Sequence, residues 1–385
     1  MTRDRISRHL GTARTLLTRR LCVDFDRILF ELHDVPPRKL LNWVLAKWSM
    51  HLRPARPWAW PTHLQVEPST LCNVRCTFCP VTTGLQRPTG LMDLSTFRKA
   101  LNELGDYLLL LNLWAWGEPF LNPAIYDMIA HARKCGVKVL SSTNGHVFAR
   151  GDHAQRLVGS GIDAIIFALD GLSQQTYETY RAGGRLEVAL AGVRRVVQAK
   201  RTMEGSTQVH LRFLAMRHNE HEIPGLERMA RGLGVDGYSI KTLNPYDQGE
   251  CYSTKADGLE FIPQDPRYQR FEYDAKTGTR VRVQANPCLR LWNHPVLHWD
   301  GKVAPCDFDP HDHYTVGDLD RERFRDIWWG ARATDLRRQF RRDYRKLPLC
   351  AGCTYAFKGG NCSLETIAEA RVFKQGTPGG KPRGV

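Results

Sequence analysis

Three cysteines near residue 75 have a spacing that suits an iron–sulfur cluster. Cys72, Cys76 and Cys79 form the pattern C-x3-C-x2-C, and an aromatic residue, Phe78, precedes the last thiol. A cluster of four irons usually takes one cysteine thiolate per iron. A loop with three thiolates leaves one iron open, and an open metal position is where a ligand can bind and react. The spacing therefore predicts a reactive iron–sulfur site. A zinc site with a distant fourth ligand and three unrelated core cysteines are the alternatives.

A second set of cysteines lies in the last third of the chain. Cys288, Cys306 and the C-x2-C pair Cys350 and Cys353 offer four thiolates, a full set for one cluster. Four thiolates with a C-x2-C pair also describe a structural zinc site, and the residues alone do not separate the two. Cys362 could replace one ligand or approach a substrate, but we expect an incidental thiol. The other cysteines lack metal-type spacing and are expected to be packing residues: Cys22, Cys135 and Cys251.

The segment from Pro68 to Pro80 resembles the cluster loop of the radical S-adenosylmethionine (radical SAM) enzymes, which have this cysteine spacing and this aromatic residue. The resemblance implies that Cys72, Cys76 and Cys79 bind a [4Fe–4S] cluster whose open iron is chelated by S-adenosylmethionine (SAM). It also implies that one electron cleaves SAM to methionine and a 5′-deoxyadenosyl radical, since a strong C–H bond needs a cofactor-derived radical. An electron donor such as flavodoxin or ferredoxin is then expected.

Other motifs resemble the segments with which radical SAM enzymes hold SAM. Trp114-Ala-Trp-Gly-Glu-Pro119 resembles their Gly-Gly-Glu-Pro motif, with Trp116 in place of the first glycine. Four later segments resemble further family segments: 142–145, 168–171, 180–184 and 213–219. The resemblance implies that the SAM-binding residues are Gly117, Glu118, Asn144, Asp170, Arg181 and Met216. Arg181 is expected at the methionyl carboxylate. No catalytic residue is assigned, because four candidates for a general base are equally placed: His218, Lys241, Glu118 and Asp307.

The region of the second cysteine set resembles the SPASM/twitch extension of many radical SAM enzymes. Residues 296–300 and 302–304, joined through Asp300-Gly301, predict a β-hairpin, and Ile327-Trp-Trp329 is expected in the helix that follows. The resemblance is to the version with a single auxiliary [4Fe–4S] cluster, since the larger version needs seven cysteines. It implies that the auxiliary ligands are Cys288, Cys306, Cys350 and Cys353.

Short apolar runs alternate with helical patterns from residue 63 onward. The predicted strands are His63–Glu67, Leu108–Trp114, Val137–Ser141, Ala164–Leu169, Val209–Met216 and Gly237–Lys241. The predicted helices between them are Leu94–Leu104, Ala124–Lys134, Gln175–Tyr180 and Val188–Arg201. Such alternation indicates parallel strands with right-handed crossovers. The fold class is therefore α/β, a partial (β/α)6 barrel with functional loops at the carboxyl ends of its strands.

The domain organisation follows from these elements. We predict a basic, aromatic-containing helical segment over residues 1–61 and the radical SAM barrel over 62–275. A SPASM-like domain is predicted over 276–365 and a disordered tail over 366–385.

Positive charge is concentrated in two segments of the chain. The formal net charge is +15; residues 1–61 contain 12 Lys/Arg and 5 Asp/Glu (+7), and residues 321–346 contain 10 and 4 (+6). Ile6, Leu10, Ala13, Leu17 and Leu21 are expected on one face of a basic helix. Such a helix can contact an anionic membrane peripherally, although it more often packs on its own domain. No nucleic-acid-binding module accompanies the charge, so nucleic acid is not an expected partner.

The sequence also indicates the cellular compartment of the protein and the class of reaction that it catalyses. No apolar stretch is long enough to span a membrane, and the first residues lack the features of a secretory signal. The odd number of cysteines, eleven, with seven of them in metal-type spacings, indicates a reducing cytoplasm. The sequence predicts a radical SAM oxidoreductase that abstracts a hydrogen atom from a small polar, sugar-like or natural-product substrate and passes an electron to the auxiliary cluster. The alternatives are a maturase of a ribosomal peptide or protein, modification of a membrane-associated lipid, and an iron–sulfur or zinc scaffold without enzymatic activity.

Overall fold

A ten-stranded sheet forms the centre of this computed structural model, which describes residues 12–244, 259–274, 276–277, 279–360 and 367–373. The strands are, in chain order, β1 (Leu21–Phe25), β2 (Ile28–Leu32), β3 (His63–Val66), β4 (Arg75–Cys76), β5 (Leu110–Leu113), β6 (Lys138–Thr143), β7 (Ala164–Ala168), β8 (Arg181–Ala182), β9 (Gln208–Ala215), β10 (Gly237–Thr242), β11 (Val296–Leu297), β12 (Lys302–Ala304), β13 (Gly317–Asp318) and β14 (Ile367–Val372). The sheet has the order β13-β12-β11-β3-β5-β6-β7-β9-β10-β14.

The helices connect these strands on one side of the sheet and build the C-terminal region. They are α1 (residues 12–18), α2 (Pro37–Leu52), α3 (Pro80–Thr83), α4 (Leu94–Leu104), α5 (Ile125–Lys134), α6 (His153–Gly159), α7 (Gln174–Tyr180), α8 (Leu186–Thr202), α9 (Ile223–Leu233), α10 (Phe324–Trp328), α11 (Ala331–Asp343) and α12 (Pro348–Ala351). Within the described ranges, none of these helices has the length and hydropathy of a membrane span.

Six neighbouring strands of the sheet are parallel, which confirms the predicted α/β fold with a (β/α)6 core. These strands are β3, β5, β6, β7, β9 and β10, and each pairs in parallel with the next. Parallel strands need crossover connections, and α4 through α9 supply them. The carboxyl ends of all six strands therefore meet at one rim, where functional loops of such barrels lie.

Side chains along these strands alternate between two environments. One face packs under the helices in the largest hydrophobic cluster, which includes Leu111, Leu113, Ile165, Phe167 and Phe213. The opposite face contributes to a smaller cluster that includes Leu110, Leu140, Ala164 and Ile166. Successive side chains of a strand point to opposite sides of the sheet, so the second group marks the interior of the barrel.

An N-terminal β-hairpin fills the interior of the barrel, so the segment over residues 1–61, predicted as helical, contains two strands as well as α1 and α2. Strands β1 and β2 pair antiparallel, and Leu21, Val23 and Phe25 pack on the interior face. Leu21, predicted on a helix face, thus begins a strand, and Cys22, predicted to pack internally, is exposed. Ala13 and Leu17 do lie in α1, whereas Ile6 and Leu10 lie outside the described residues.

The C-terminal region extends the same sheet at both edges. The hairpin of β11 and β12 is present as predicted, and β11 pairs in parallel with β3. At the other edge β14 pairs antiparallel with β10, so residues predicted as disordered tail include an ordered strand. Cys135 packs against the main core as predicted, while Cys251, Cys362 and residues 374–385 lie outside the described residues.

Candidate functional site

The three-cysteine loop follows β3 and is fixed by a short two-stranded sheet. Strand β4 pairs antiparallel with β8, so that Cys76 lies opposite Arg181. The Thr77 amide donates to the Tyr180 carbonyl at 3.0 Å, and the Thr83 amide donates to the Cys79 carbonyl at 2.9 Å. All three thiols are half-buried. The loop therefore presents three cysteines at the rim of the barrel, where an exogenous ligand can reach them.

Burial makes these thiols poor thiolates unless a cation binds. It raises the pKa of Cys72 to about 11 and the pKa of Cys79 to about 12. A coordinating metal deprotonates a thiol outright. The set therefore fits a site that becomes charged only when iron binds.

Gly117 brings the next loop into contact with the cysteine loop. Its backbone is left-handed, with φ of +79°, and a Cβ there would lie 2.5 Å from the Ser69 carbonyl oxygen. The adjacent Glu118 amide donates to the Leu71 carbonyl at 2.7 Å. Only glycine allows this close approach without displacing the backbone that leads into Cys72.

Glu118 joins the ends of β5 and β6. One carboxylate oxygen accepts from the Thr143 hydroxyl at 2.9 Å and from the Phe120 amide at 3.2 Å, and the other accepts from the Asn144 amide at 2.8 Å. The side chain is buried, and this burial raises the pKa of Glu118 to about 7. The carboxylate thus fixes the backbone of the Asn144 turn.

Asn144 approaches the cysteine loop from the end of β6. Its side-chain amide donates to Asn73 Oδ1 at 2.7 Å and lies 3.9 Å from Cys72 Sγ. The side-chain oxygen of Asn144, Oδ1, accepts from the His146 amide at 3.0 Å. The structure therefore brings Asn144 beside the first predicted cluster ligand.

Asp170 and Arg181 form a buried ion pair beside Cys76, the second predicted cluster ligand. Arg181 Nε and Nη2 lie 2.7 and 2.6 Å from Asp170 Oδ2, and Nη1 lies 3.8 Å from Cys76 Sγ. The other Asp170 oxygen accepts from the Leu214 amide at 2.8 Å.

Met216 is fully buried at the end of β9, and its amide donates to Asn219 Oδ1 at 2.6 Å. The six predicted SAM-binding residues thus lie at the rim that carries the cysteine loop; their contacts with SAM stay a prediction.

The second cysteine set lines one small, apolar cavity. Cys288, Cys306, Cys350 and Cys353 are all buried, and the cavity walls also include Leu291, Phe308 and Phe340. Burial raises the pKa of Cys353 to about 11 and raises the pKa of Cys306 and of Cys350 well above its usual range. Four converging thiols in a closed cavity fit an iron–sulfur cluster with every iron ligated. Within the described ranges, no three His, Cys, Asp or Glu side chains are grouped tightly enough to hold a single metal ion.

Five side chains line the mouth of the barrel between the two cysteine sets. Each lies at or just after the end of one of five neighbouring parallel strands, faces the interior, and is half-buried; we call them the mouth residues: Trp114, Ser142, Ala168, Leu214 and Lys241. The residues next to them that face the helices are buried, including Leu113, Phe167 and Ile240. At the strand ends the interior side of the sheet is therefore less buried than the side that faces the helices.

A buried ion pair lies below the mouth residues, and none of the sequence motifs predicted it. Arg212 Nη1 lies 2.5 Å from Asp26 Oδ2, and Arg212 Nε donates to Ser239 Oγ at 3.2 Å. Asp26 occupies the tip of the N-terminal hairpin. The alternation of Leu21, Val23 and Phe25 was a readable signal for the strand, but nothing local connects Asp26 with Arg212.

The candidate bases separate in the structure. Lys241 is a mouth residue, and Glu118 is buried behind the rim. Asp307 lies 3.2 Å from Arg290 Nη2, next to the second cysteine set. His218 contacts the Phe261 ring edge-on, with centroids 6.0 Å apart. Lys241 is the one among these four that reaches the mouth of the barrel from a strand.

Comparison with known protein families gives two matches. Residues 66–228 match the model of the radical SAM superfamily, and residues 288–354 match SPASM, an iron–sulfur cluster-binding domain. The first range contains the three-cysteine loop, and the second range contains the four buried cysteines.

Curated relatives and solved structures extend these matches. A tungsten-containing aldehyde ferredoxin oxidoreductase cofactor-modifying protein of Pyrococcus furiosus is 23% identical over 318 residues, covering 76% of this chain and 87% of the relative. A PqqA peptide cyclase of Gluconobacter oxydans is 23% identical over 256 residues, covering 64% and 70%. Streptococcus suis SuiB bound to S-adenosylmethionine shares the fold, with a TM-score of 0.55, 13% identity and coverage of 77% and 73%.

Proposed function

The chain belongs to the radical SAM superfamily and carries a SPASM domain, and from this premise we propose that it catalyses a SAM-dependent two-electron oxidation of a small polar substrate. The cofactors are a SAM-binding [4Fe–4S] cluster, an auxiliary [4Fe–4S] cluster and SAM. The ligands proposed for them are Cys72, Cys76 and Cys79 for the first, and the four buried cysteines of the SPASM domain for the second. When bound, the first cluster supplies the electron that cleaves SAM, and the auxiliary cluster supplies a one-electron acceptor.

The difference in exposure between the two cysteine sets carries the proposal. The three cysteines of the loop are half-buried at the rim, whereas the four auxiliary cysteines are buried in an apolar cavity. An accessible cluster with three protein ligands suits SAM binding. A closed cluster with four protein ligands suits electron transfer, because it has no iron left for a substrate.

The residues around the first site support positioning of SAM. Glu118 fixes the Asn144 turn, and Asp170 holds the Arg181 guanidinium beside Cys76. Arg181 is proposed to bind the methionyl carboxylate, since a guanidinium suits planar anionic oxygens. Met216, with the strand end that carries it, is proposed to border the adenine.

The N-terminal hairpin favours a small molecule over an extended polypeptide. Phe25 and the hairpin tip occupy the interior below the mouth residues, with the Phe25 ring 5.6 Å from the Trp114 ring. The space left for a substrate thus lies at the rim. A peptide substrate is the second candidate, because a PqqA peptide cyclase is among the relatives.

The test uses anaerobically reconstituted enzyme with SAM and dithionite. An enzyme of this type should contain about eight irons and form 5′-deoxyadenosine. With candidate substrates from the products of neighbouring genes, we expect a product lighter by two hydrogens in a one-to-one ratio with 5′-deoxyadenosine. A rearranged product that retains both hydrogens would contradict the oxidation. A modified precursor peptide would contradict the small-molecule substrate. Flavodoxin or ferredoxin can replace dithionite to test the proposed electron donor.

A further inference from the structure

Lys241 lies at the carboxyl end of β10, on the interior side of the barrel. Its neighbour Ile240 packs in the cluster under the helices, so Lys241 faces the other way. In the sheet register Lys241 lies beside Leu214, and the Leu214 amide donates to Asp170. Lys241 therefore stands at the level of the residues that surround the cysteine loop.

The two acidic side chains near Lys241 each form an ion pair with an arginine. Arg212 pairs with Asp26 of the hairpin, and Arg290 pairs with Asp307 of the SPASM domain. Lys241 Nζ has no hydrogen bond or ion pair with any described residue. Its electrostatic neighbours are Asp26, Arg212, Arg270 and Asp307, which belong to the hairpin, the barrel and the C-terminal region. The ammonium group thus lies where these three parts meet, near two carboxylates that each also form an ion pair with an arginine.

A lysine in this position needs an explanation. Half-burying an ammonium group without a hydrogen bond or a direct ion pair is unfavourable, and the pKa of Lys241 is lowered to about 8 mainly by burial. Asp26 and Asp307 attract the ammonium group from a distance, whereas Arg212 and Arg270 repel it. A hydrophobic residue would pack at the end of a strand at no such cost. An anionic ligand would supply the direct counter-charge that neither carboxylate provides.

We propose that Lys241 binds an anionic oxygen group of the substrate, a carboxylate or a phosphate ester. This inference rests on the proposed function, because the substrate must reach the space at the barrel mouth. An ammonium group is a compact point charge that holds either anion. The anion at Lys241 would place the rest of the molecule between the Asp170 side of the rim and the Asp307 side, and so between the two cysteine sets.

Protection from acylation tests the proposal on the wild-type holoenzyme. Acetic anhydride acylates neutral amines, and mass spectrometry of the digested protein gives the labelling rate of each lysine. The probes are inorganic phosphate and acetate, added separately in the absence and presence of SAM. Lys134, an exposed lysine at the end of α5, is the internal control. At a probe concentration of about twice its Kd, labelling of Lys241 should slow about threefold, since protection equals 1 + [L]/Kd.

Each outcome decides the question. Stronger protection of Lys241 by phosphate than by acetate supports a phosphate ester, and the reverse supports a carboxylate. If neither probe slows the labelling of Lys241 more than it slows the labelling of Lys134, the proposal is overturned. Protection of Lys241 by SAM alone also overturns it, because the lysine would then hold the cofactor's own carboxylate. Formation of 5′-deoxyadenosine by the same preparation tests the proposed function separately; its absence would overturn that function, whereas the labelling data concern Lys241.

Discussion

Arg181 contacts Asp170 through Nε and Nη2, at 2.7 and 2.6 Å, while its third nitrogen faces Cys76 Sγ at 3.8 Å. The guanidinium therefore connects a strand-end carboxylate with Cys76, a proposed cluster ligand. Because both partners of the ion pair are buried, each depends on the other for its counter-charge.

Asp170→Asn should destabilise the protein, because it leaves the Arg181 charge buried without a partner. We expect a loss of about 3 kcal/mol in the free energy of unfolding, measured by chemical denaturation. The matched control is Asp335→Asn, which breaks the exposed pair with Arg338 and should cost less than about 1 kcal/mol. Equal losses in the two variants would contradict the role of burial.

Gly117→Ala should disrupt SAM binding. The new Cβ would meet the Ser69 and Leu71 carbonyl oxygens at 2.5 and 2.8 Å, so the backbone leading into Cys72 must move. The control Gly151→Ala also has a positive φ, +59°, but its Cβ meets nothing closer than 3.5 Å. Equilibrium dialysis with SAM should show a loss of about tenfold or more for the first variant, corresponding to at least about 1.4 kcal/mol, and little change for the second. Similar affinities in the two variants would argue against the close approach.

The triple variant Cys72/Cys76/Cys79→Ala should lose one cluster. Reconstituted protein should contain about four irons instead of about eight and should form no 5′-deoxyadenosine. Cys22→Ser, at an exposed thiol remote from both sets, should retain both properties. A full iron content in the triple variant would show that these cysteines are not ligands.

Removal of the auxiliary pair, Cys350→Ser with Cys353→Ser, should have a different effect. Iron content should again fall by about four, but SAM cleavage should persist, because the first cluster lies in another part of the fold. Oxidation of substrate should stop. Cys135→Ser, at a half-buried thiol packed on the barrel core, serves as the control. Loss of 5′-deoxyadenosine formation in the double variant alone would contradict the division of roles.

Glu118 should make stability depend on pH. Its pKa rises from an ordinary value near 4.5 to about 7 on folding, mainly through burial, so the folded state binds the proton more tightly. Stability from this group is therefore fully present below pH 4.5 and is lost as pH rises to about 7, by about 3 kcal/mol in total. Glu118→Gln removes the titration, so the difference in unfolding free energy between wild type and variant should change over this range. A constant difference would contradict the raised pKa.

The sequence predicted the barrel well because its patterns are local. All six predicted strands overlap the observed ones, and the helix Leu94–Leu104 has the same bounds in both. Apolar runs and amphipathic periods are properties of residues close together in the sequence, so they can be recognised without knowledge of the fold. The C-x3-C-x2-C and C-x2-C spacings are also local patterns that can be read from the sequence, and the metal ligation that they predict stays a prediction.

The N-terminal hairpin escaped prediction for a physical reason. Its turn, Asp26-Arg27, has positive φ at both residues but none of the glycine or asparagine that usually mark such turns. Strand β14 was missed because Ile367–Val372 pairs with β10, a partner more than a hundred residues away. The setting of Lys241 depends on Asp26 and Asp307 together, and long-range placement of this kind leaves no local signal.

The hairpin at the N-terminus has a consequence for how the chain assembles. Asp26 is translated before the barrel strands, and its partner Arg212 follows 186 residues later. The hairpin can reach its final place only after the strands that surround it have been synthesised, so a segment made before these strands docks after them. Contacts of such large sequence separation slow folding and leave apolar surface exposed meanwhile. During synthesis, Leu21, Val23 and Phe25 therefore lack their packing partners until the surrounding strands have formed.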